Sequence, residues 1–250
     1  MTTGTVSGVV PVHNGERFLA EALESMLGQS LPLLEVIVID DGSTDGTAEV
    51  AASFGDRVRY VHQDNAGPSF ARNAGIAIAQ GALITFLDAD DIWHREKVAG
   101  QVARFEERPE LDYCVTAIQN FWMDEVAEEG ERFASHPRGK PMPGYITQTL
   151  MVRRRAFDAI GVFDTRLKHV DAADWFLRAR EHGAIEEYLP EVLTYRRMHR
   201  RNRSREKATT SLDESLEFAW RAMRKARKQD EADESPKNDR GSPPEVGKEA

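Results

Sequence analysis

The chain has 250 residues, of which 40% are hydrophobic and 30% charged, with a formal net charge of −9 at pH 7. That acidic balance argues against general nucleic-acid binding, while the length is enough to bury a real core as one domain or a fused pair. The single cysteine, Cys114, excludes an internal disulfide framework and suits a reducing cytosol. Residues 1–8 lack a basic start and a long apolar run, and no apolar stretch is long enough to span a bilayer. The expected location is therefore cytoplasmic.

In chain order, residues 6–12 read as a short buried strand, followed by a turn at His13-Asn14-Gly15-Glu16. Phe18, Leu19, Ala22, Leu23, Met26 and Leu27 then recur at helical spacing. Residues 34–39 form a second apolar strand, running into Asp40-Asp41-Gly42-Ser43-Thr44-Asp45-Gly46. A helix is expected over 47–54, a strand over 58–61, another helix over 73–80 and a fourth strand over 82–87. This alternation predicts a mostly parallel sheet covered on both faces. Ligands of such sheets bind beyond the carboxyl ends of the strands, where His13-Asn14, Asp40-Asp41 and Asp88–Asp91 fall. Asp41, Ser43, Asp45 and Gly46 imitate the opening of a calcium loop, but its twelfth position, which needs a bidentate Glu, is Ala52.

The fourth strand runs directly into Asp88-Ala89-Asp90-Asp91. Asp88 and Asp90 are two apart, so on an extended backbone they point the same way. Hard divalent cations such as Mg²⁺ and Mn²⁺ favour oxygen ligands of this kind. The alternative is a strand stop with Asp91 capping a segment that starts at Ile92, which uses one carboxylate of the three.

Four stretches together resemble family 2 glycosyltransferases of the GT-A fold. They are Pro11 to Glu16, Val38-Ile39-Asp40-Asp41-Gly42-Ser43-Thr44-Asp45-Gly46-Thr47, Asn65 to Gly75, and Phe86 to Asp91, in that order. The resemblance covers about residues 5–205. It implies a Rossmann-like, mostly parallel central sheet with helices on both faces. Its nucleotide-sugar-binding half would span 1–110 and its acceptor-binding and catalytic half 111–205. The implied activity is metal-dependent, inverting transfer of a sugar from a nucleotide diphosphate sugar to an acceptor hydroxyl, with Mn²⁺ or Mg²⁺ as cofactor. The acceptor class (glycan, lipid-linked sugar or protein) is left open.

The resemblance also assigns roles. Asp41 would contact the nucleotide base, with Pro11, His13 and Glu16 lining the pocket. Asp90 would bind the metal, Asp88 would touch ribose or metal, and Arg72 would reach a phosphate, where Arg makes bidentate contacts. His199, in the closing stretch 192–202, would complete the metal site or touch the diphosphate. In the second half a strand is expected over 111–116, a polar loop or short hairpin over 120–140, and a helix over 174–180.

One position departs from the family pattern. Members carry Glu-Asp before this last helix, and the Asp is the general base. Aligning on Trp175-Phe176-Leu177-Arg178 puts Ala172 in that seat and Asp171 in the seat of the Glu. Asp174 lies three residues further, on the same helical face as Asp171. Asp171 is the first candidate for the base and Asp174 the second. The alternative is a sugar-nucleotide-binding protein without catalysis.

Beyond 205, Leu212, Leu216, Phe218, Ala219, Trp220 and Met223 suggest a C-terminal helix over 206–228 ending in Arg224-Lys225-Ala226-Arg227-Lys228. Either it packs on the domain with a solvated basic end, or it makes peripheral contact with an anionic inner membrane face. Residues 229–250 carry almost no apolar content and are expected to be disordered.

Overall fold

The computed structural model describes residues 4–167 and 169–202. The expected C-terminal helix and acidic tail lie outside the described residues.

Strand β1 (Val6–Val12) is followed by helix α1 (Leu19–Leu27), β2 (Glu35–Asp41) and α2 (Thr47–Ala52). Next come β3 (Arg59–Gln63), α3 (Pro68–Ile78), β4 (Leu83–Phe86), the two-residue β5 (Ile92–Trp93) and α4 (Lys97–Glu107). The second half contributes β6 (Tyr113–Trp122), α5 (Ala127–Phe133), β7 (Met142–Pro143), β8 (Met151–Arg153), α6 (Arg154–Ile160), α7 (Asp171–Glu181) and β9 (Glu186–Met198).

One sheet runs through both halves in the order β3-β2-β1-β4-β8-β6-β9-β5, with β7 alongside β6. Strands β1 to β4 are mutually parallel, as are β6 and β9, whereas β8, β5 and β7 run antiparallel to their neighbours. The expected helix-covered, mostly parallel sheet is therefore present, with an antiparallel insertion where the halves meet.

Period-two alternation decides which helix covers which face. Val6, Val10, Val36, Val38 and Leu83 pack on one side with α1, α2 and α4; Val9, Ile37, Ile39, Ile84 and Phe86 pack on the other with α3, α6 and α7. Close approach of α3 to β1 needs Gly75, where a Cβ would lie 2.3 Å from Val9 Cγ1.

Three local expectations differ from what is found. Helix α3 begins at Pro68, five residues before the expected start, because Gly67 turns the chain at φ +97° and Pro68 supplies a preset first position. The segment 120–140 is a continuation of β6 followed by helix α5, rather than a loop or hairpin. Trp122 stacks on Phe133 at 6.3 Å between centroids, over Gly130. Asp91 does not cap a helix: Ile92 and Trp93 pair with β9, and the helix starts only at Lys97. Among the described residues no helix is long and apolar enough to cross a membrane.

Candidate active site

Parallel β2, β1 and β4 are adjacent, so the loops at their carboxyl ends gather on one edge. Two of these loops are knitted together. Asn14 N–H donates to Ser43 Oγ at 2.8 Å, Thr44 N–H to Asn14 Oδ1 at 2.8 Å and Gly15 N–H to Thr47 Oγ1 at 2.9 Å. Glu16 N–H donates to Asp45 Oδ2, and Gly46 N–H donates back to Glu16 Oε2, both at 3.1 Å. Pro11 lies within β1 opposite Ile39. His13 is exposed; its Nδ1 donates to the Asp41 carbonyl oxygen at 2.9 Å and its Nε2 accepts from Asn14 Nδ2 at 3.1 Å.

Asp41 is buried and grips the third loop. Its Oδ1 accepts from Gln63 Nε2 and Ala66 N–H, and its Oδ2 from Gly67 N–H, each at 2.8 Å. A carboxylate offers about four lone-pair sites, so one remains for a ring N–H. Its neighbour Asp40 accepts from Tyr60 Oη at 2.5 Å and Ser43 N–H at 2.8 Å. Burial alone would raise Asp40, but these bonds outweigh it and lower the carboxyl below its ordinary value.

Beyond β4 the chain turns, with Asp91 N–H donating to the Asp88 carbonyl at 3.1 Å. The turn, rather than an extended backbone, brings Asp88, Asp90 and Asp91 together, with carboxylate oxygens all within 4.8 Å of one another. Burial, reinforced by the charges of Asp90 and Asp88, pushes the Asp91 carboxyl well above its ordinary range. Three hard oxygens at this spacing could hold a divalent cation such as Mg²⁺ or Mn²⁺.

The closing strand β9 braces this turn. His199 Nε2 donates to Asp90 Oδ2 at 3.0 Å, Asn202 Nδ2 donates to the same oxygen at 3.2 Å, and His199 Nδ1 accepts from Arg201 N–H at 3.2 Å. Arg197 is buried between the rings of Phe18 and Phe121, at 4.6 and 4.9 Å. Its backbone N–H donates to Asp91 Oδ1 and its Nε to the Asp90 carbonyl, both at 2.9 Å. The sequence singled out His199 within the closing stretch, but Arg197 and Asn202 were missed. The Arg-rich run they lie in reads as solvated surface, and only the parallel pairing of β9 with β6 folds it inward.

Arg72 joins the two halves. It is 3% exposed, and its Nη2 donates to Asp88 Oδ1 and its Nη1 to Asp171 Oδ2, each at 2.8 Å. Burial alone would weaken the guanidinium, but Asp88 and Asp171 outweigh it and raise its pKa. Both terminal nitrogens therefore face protein carboxylates instead of projecting outward. The other oxygen of Asp88 accepts from Gln148 Nε2, and Asp171 Oδ2 also accepts from Ser69 Oγ at 2.9 Å. Gln148 carried no signal in the sequence because its partners lie 55 and 60 residues away, at Trp93 and Asp88.

Helix α7 separates the two candidate bases. Asp171 turns to Arg72, whereas Asp174 accepts from Arg178 Nε at 2.8 Å, and Arg178 clasps the carbonyls of Ile160 and Val162. Ala172 packs against the apolar cluster beneath the sheet.

These features define an α/β domain with a mostly parallel sheet and an acidic cluster at its strand ends. The profile of the family described as "Glycosyl transferase family 2" matches residues 7–173. An uncharacterized glycosyltransferase of Rickettsia prowazekii is 28% identical over 205 residues, covering 78% of this chain and 64% of its own length. Glycosyltransferase GlyG of Streptococcus pneumoniae is 43% identical over 120 residues, covering 46% of this chain and 40% of its own. The structure of S. aureus TarS 1-349 in complex with UDP-GlcNAc is similar at a TM-score of 0.65 and 20% identity, covering 82% of this chain and 62% of that one. This last likeness shows the fold, which is of the expected GT-A type. The chain belongs to glycosyl transferase family 2. It spans less than two thirds of the length of the Rickettsia relative and of TarS.

Proposed function

We propose that this domain binds a nucleotide diphosphate sugar across the carboxyl ends of β2, β1 and β4 and passes the sugar to an acceptor hydroxyl with inversion. The observation that carries the reading is the Asp88–Arg72–Asp171 bridge, which ties the acidic cluster of one half to the catalytic-helix seat of the other. The solved neighbours in complex with UDP and with UDP-GlcNAc make a uridine nucleotide the first donor to try.

In this reading Pro11, His13, Glu16 and Asp41 surround the base, and Arg72 fixes Asp88 toward the ribose and diphosphate side. Asp90 and Asp88 would hold Mn²⁺ or Mg²⁺, and His199 would join them by exchanging its Nε2 bond to Asp90 for the ion. When bound, the ion acts as a Lewis acid that stabilises the departing nucleoside diphosphate. Asp171 takes the acceptor proton as the new glycosidic C–O bond forms and the bond from the sugar to the diphosphate breaks. Its Oδ2 is held by Ser69 and Arg72. Asp174 is the second choice, since Arg178 already engages it. The acceptor is a glycan, a lipid-linked sugar or a protein, met in the cytoplasm.

A second reading, a sugar-nucleotide binder without transfer, is favoured by Ala172 in the seat of the base and by the neutralisation of Asp171 by a buried arginine. Thermal shifts with nucleoside diphosphates and their sugars, with and without Mn²⁺, followed by donor-hydrolysis assays, test both. A ligand of the native state raises the melting midpoint. A metal-dependent shift with turnover supports the transferase, and a shift without turnover for any acceptor selects the binder. No shift with any nucleotide contradicts both.

A further inference from the structure

Lys97, the first residue of α4, is fully buried and has no carboxylate partner among the described residues; the site described above does not use it. Its ammonium has three N–H donors and meets three acceptors. Nζ donates to Gln101 Oε1 at 2.7 Å and to Thr85 Oγ1 at 3.0 Å, and it sits 4.2 Å from the centre of the Trp93 ring.

Each of these three side chains then holds one of three consecutive backbone carbonyls. Trp93 Nε1 donates to Gln148 O at 3.0 Å, Gln101 Nε2 to Thr149 O at 2.9 Å, and Thr85 Oγ1 to Leu150 O at 2.7 Å. Gln101 Nε2 also reaches Cys114 O at 3.0 Å. The segment so held carries Gln148, whose side chain occupies one oxygen of Asp88 while Arg72 occupies the other.

We propose that Lys97 is a positioning residue for the donor site: through Trp93, Gln101 and Thr85 it fixes residues 148–150, and so sets the Gln148 amide against Asp88. A merely structural lysine would need none of this convergence; a well-packed apolar side chain would fill the same space at lower desolvation cost. Burial pulls the Lys97 amine down to about 7, so retaining a charge there is expensive. Cys114 on β6 is the titratable group whose charge acts on it, and burial pushes that thiol up to about 12, so it stays neutral. Hydrogen bonds and the ring face therefore hold the ammonium in place of an ion pair.

The inference rests on the donor-binding reading, and the experiment separates the two. In the full chain, Lys97→Met, Trp93→Phe and Gln148→Ala are compared by amide hydrogen exchange and by titration with UDP in Mn²⁺. Trp93→Phe keeps a ring face for the ammonium and loses only the bond to Gln148 O, so it stays informative if Lys97→Met fails to fold. The expected result is faster exchange at residues 147–151 in Lys97→Met and Trp93→Phe, with β1 to β3 unchanged. UDP affinity falls about tenfold in Lys97→Met and severalfold in Trp93→Phe. Adding Gln148→Ala to Lys97→Met costs less than a further twofold. Exchange at 147–151 equal to the parent overturns the proposal whether or not UDP binds. So does a lowered melting midpoint with UDP affinity within twofold of the parent. Failure of the parent chain to bind UDP, with the exchange result as expected, counts against the uridine donor alone.

Discussion

The two sides of the sheet edge are built differently. On the donor side, loops 13–16, 43–47 and 65–67 are joined by side chain-to-backbone hydrogen bonds in both directions, and Asp41 alone receives three. On the other side, residues 120–140 contribute a helix with no buried residue. It is tied down by the Trp122–Phe133 stack, by Gln119 and Asn120 reaching the Gly139 and Arg138 carbonyls at 2.9 Å, and by the Arg17–Glu125 ion pair at 2.9 Å. A dense bonded network fixes geometry before a ligand arrives, whereas an exposed helix held by a few contacts opens at low free-energy cost. Under the proposed function, the contrast corresponds to a rigid donor site and an adaptable acceptor side.

The largest break in that comparison is expected at Arg72, which serves both sides. Arg72→Met leaves Asp88 and Asp171 facing one another across the gap without their shared cation. Removing one member of a buried ionic network costs about 3–5 kcal/mol. Urea melts should show a loss of this size, and UDP titration should show donor binding reduced as well. A stability change under about 1 kcal/mol would mean that the bridge does not hold the halves together.

The next effect separates the candidate bases. Asp171→Asn should lower kcat by roughly 10²–10⁴, the usual contribution of a positioned general base, with donor affinity changed far less. Asp174→Asn should leave kcat within about threefold and cost about 0.5–1 kcal/mol of stability through the lost Arg178 pair, which is partly solvent-screened. The reverse pattern would move the base to Asp174. On the acceptor side, Trp122→Ala removes the stack under α5. It should weaken the acceptor KM severalfold while the UDP affinity stays within twofold; equal losses in both would erase the proposed difference between the two sides.

The last contrast is a pH dependence that reads the buried amine itself. Lys97 has a folded pKa of about 7 against an ordinary 10.5. Between these values the unfolded chain binds a proton that the folded chain does not, so stability rises with pH across about 7 to 10.5. One such proton amounts to about 1.4 kcal/mol per pH unit within that window. Urea melts at several pH values should show this upward slope in the parent chain and a flatter one in Lys97→Met. Parallel slopes would contradict the burial of a titrating amine.

Much of the fold was legible because its signal is local. Apolar strands running into His13-Asn14, Asp40-Asp41 and Asp88–Asp91 identify the sheet and its ligand edge from runs of under ten residues. The acidic cluster was readable for the same reason, although a turn rather than an extended strand assembles it. Partnerships made across the chain were not readable. Asp171 and Arg72 were both singled out, but for separate tasks, and nothing in the sequence says that they bond to each other from 99 positions apart. Helical spacing placed Asp171 and Asp174 on one face, yet side-chain partners send one to Arg72 and the other to Arg178. Lys97 and Gln148 follow no motif, since their roles exist only once α4, β4 and the 147–150 segment meet.

The central claim is metal-dependent nucleotide binding at the strand-end acids. The most direct test is calorimetric titration of UDP into the parent chain and into Asp90→Ala, each with and without Mn²⁺. The expected result is binding to the parent that strengthens strongly with Mn²⁺, and loss of that metal-dependent increment in Asp90→Ala with the fold intact by circular dichroism. An increment of the same size in Asp90→Ala, or UDP binding to the parent that Mn²⁺ leaves unchanged, would contradict the assignment of the metal to this cluster.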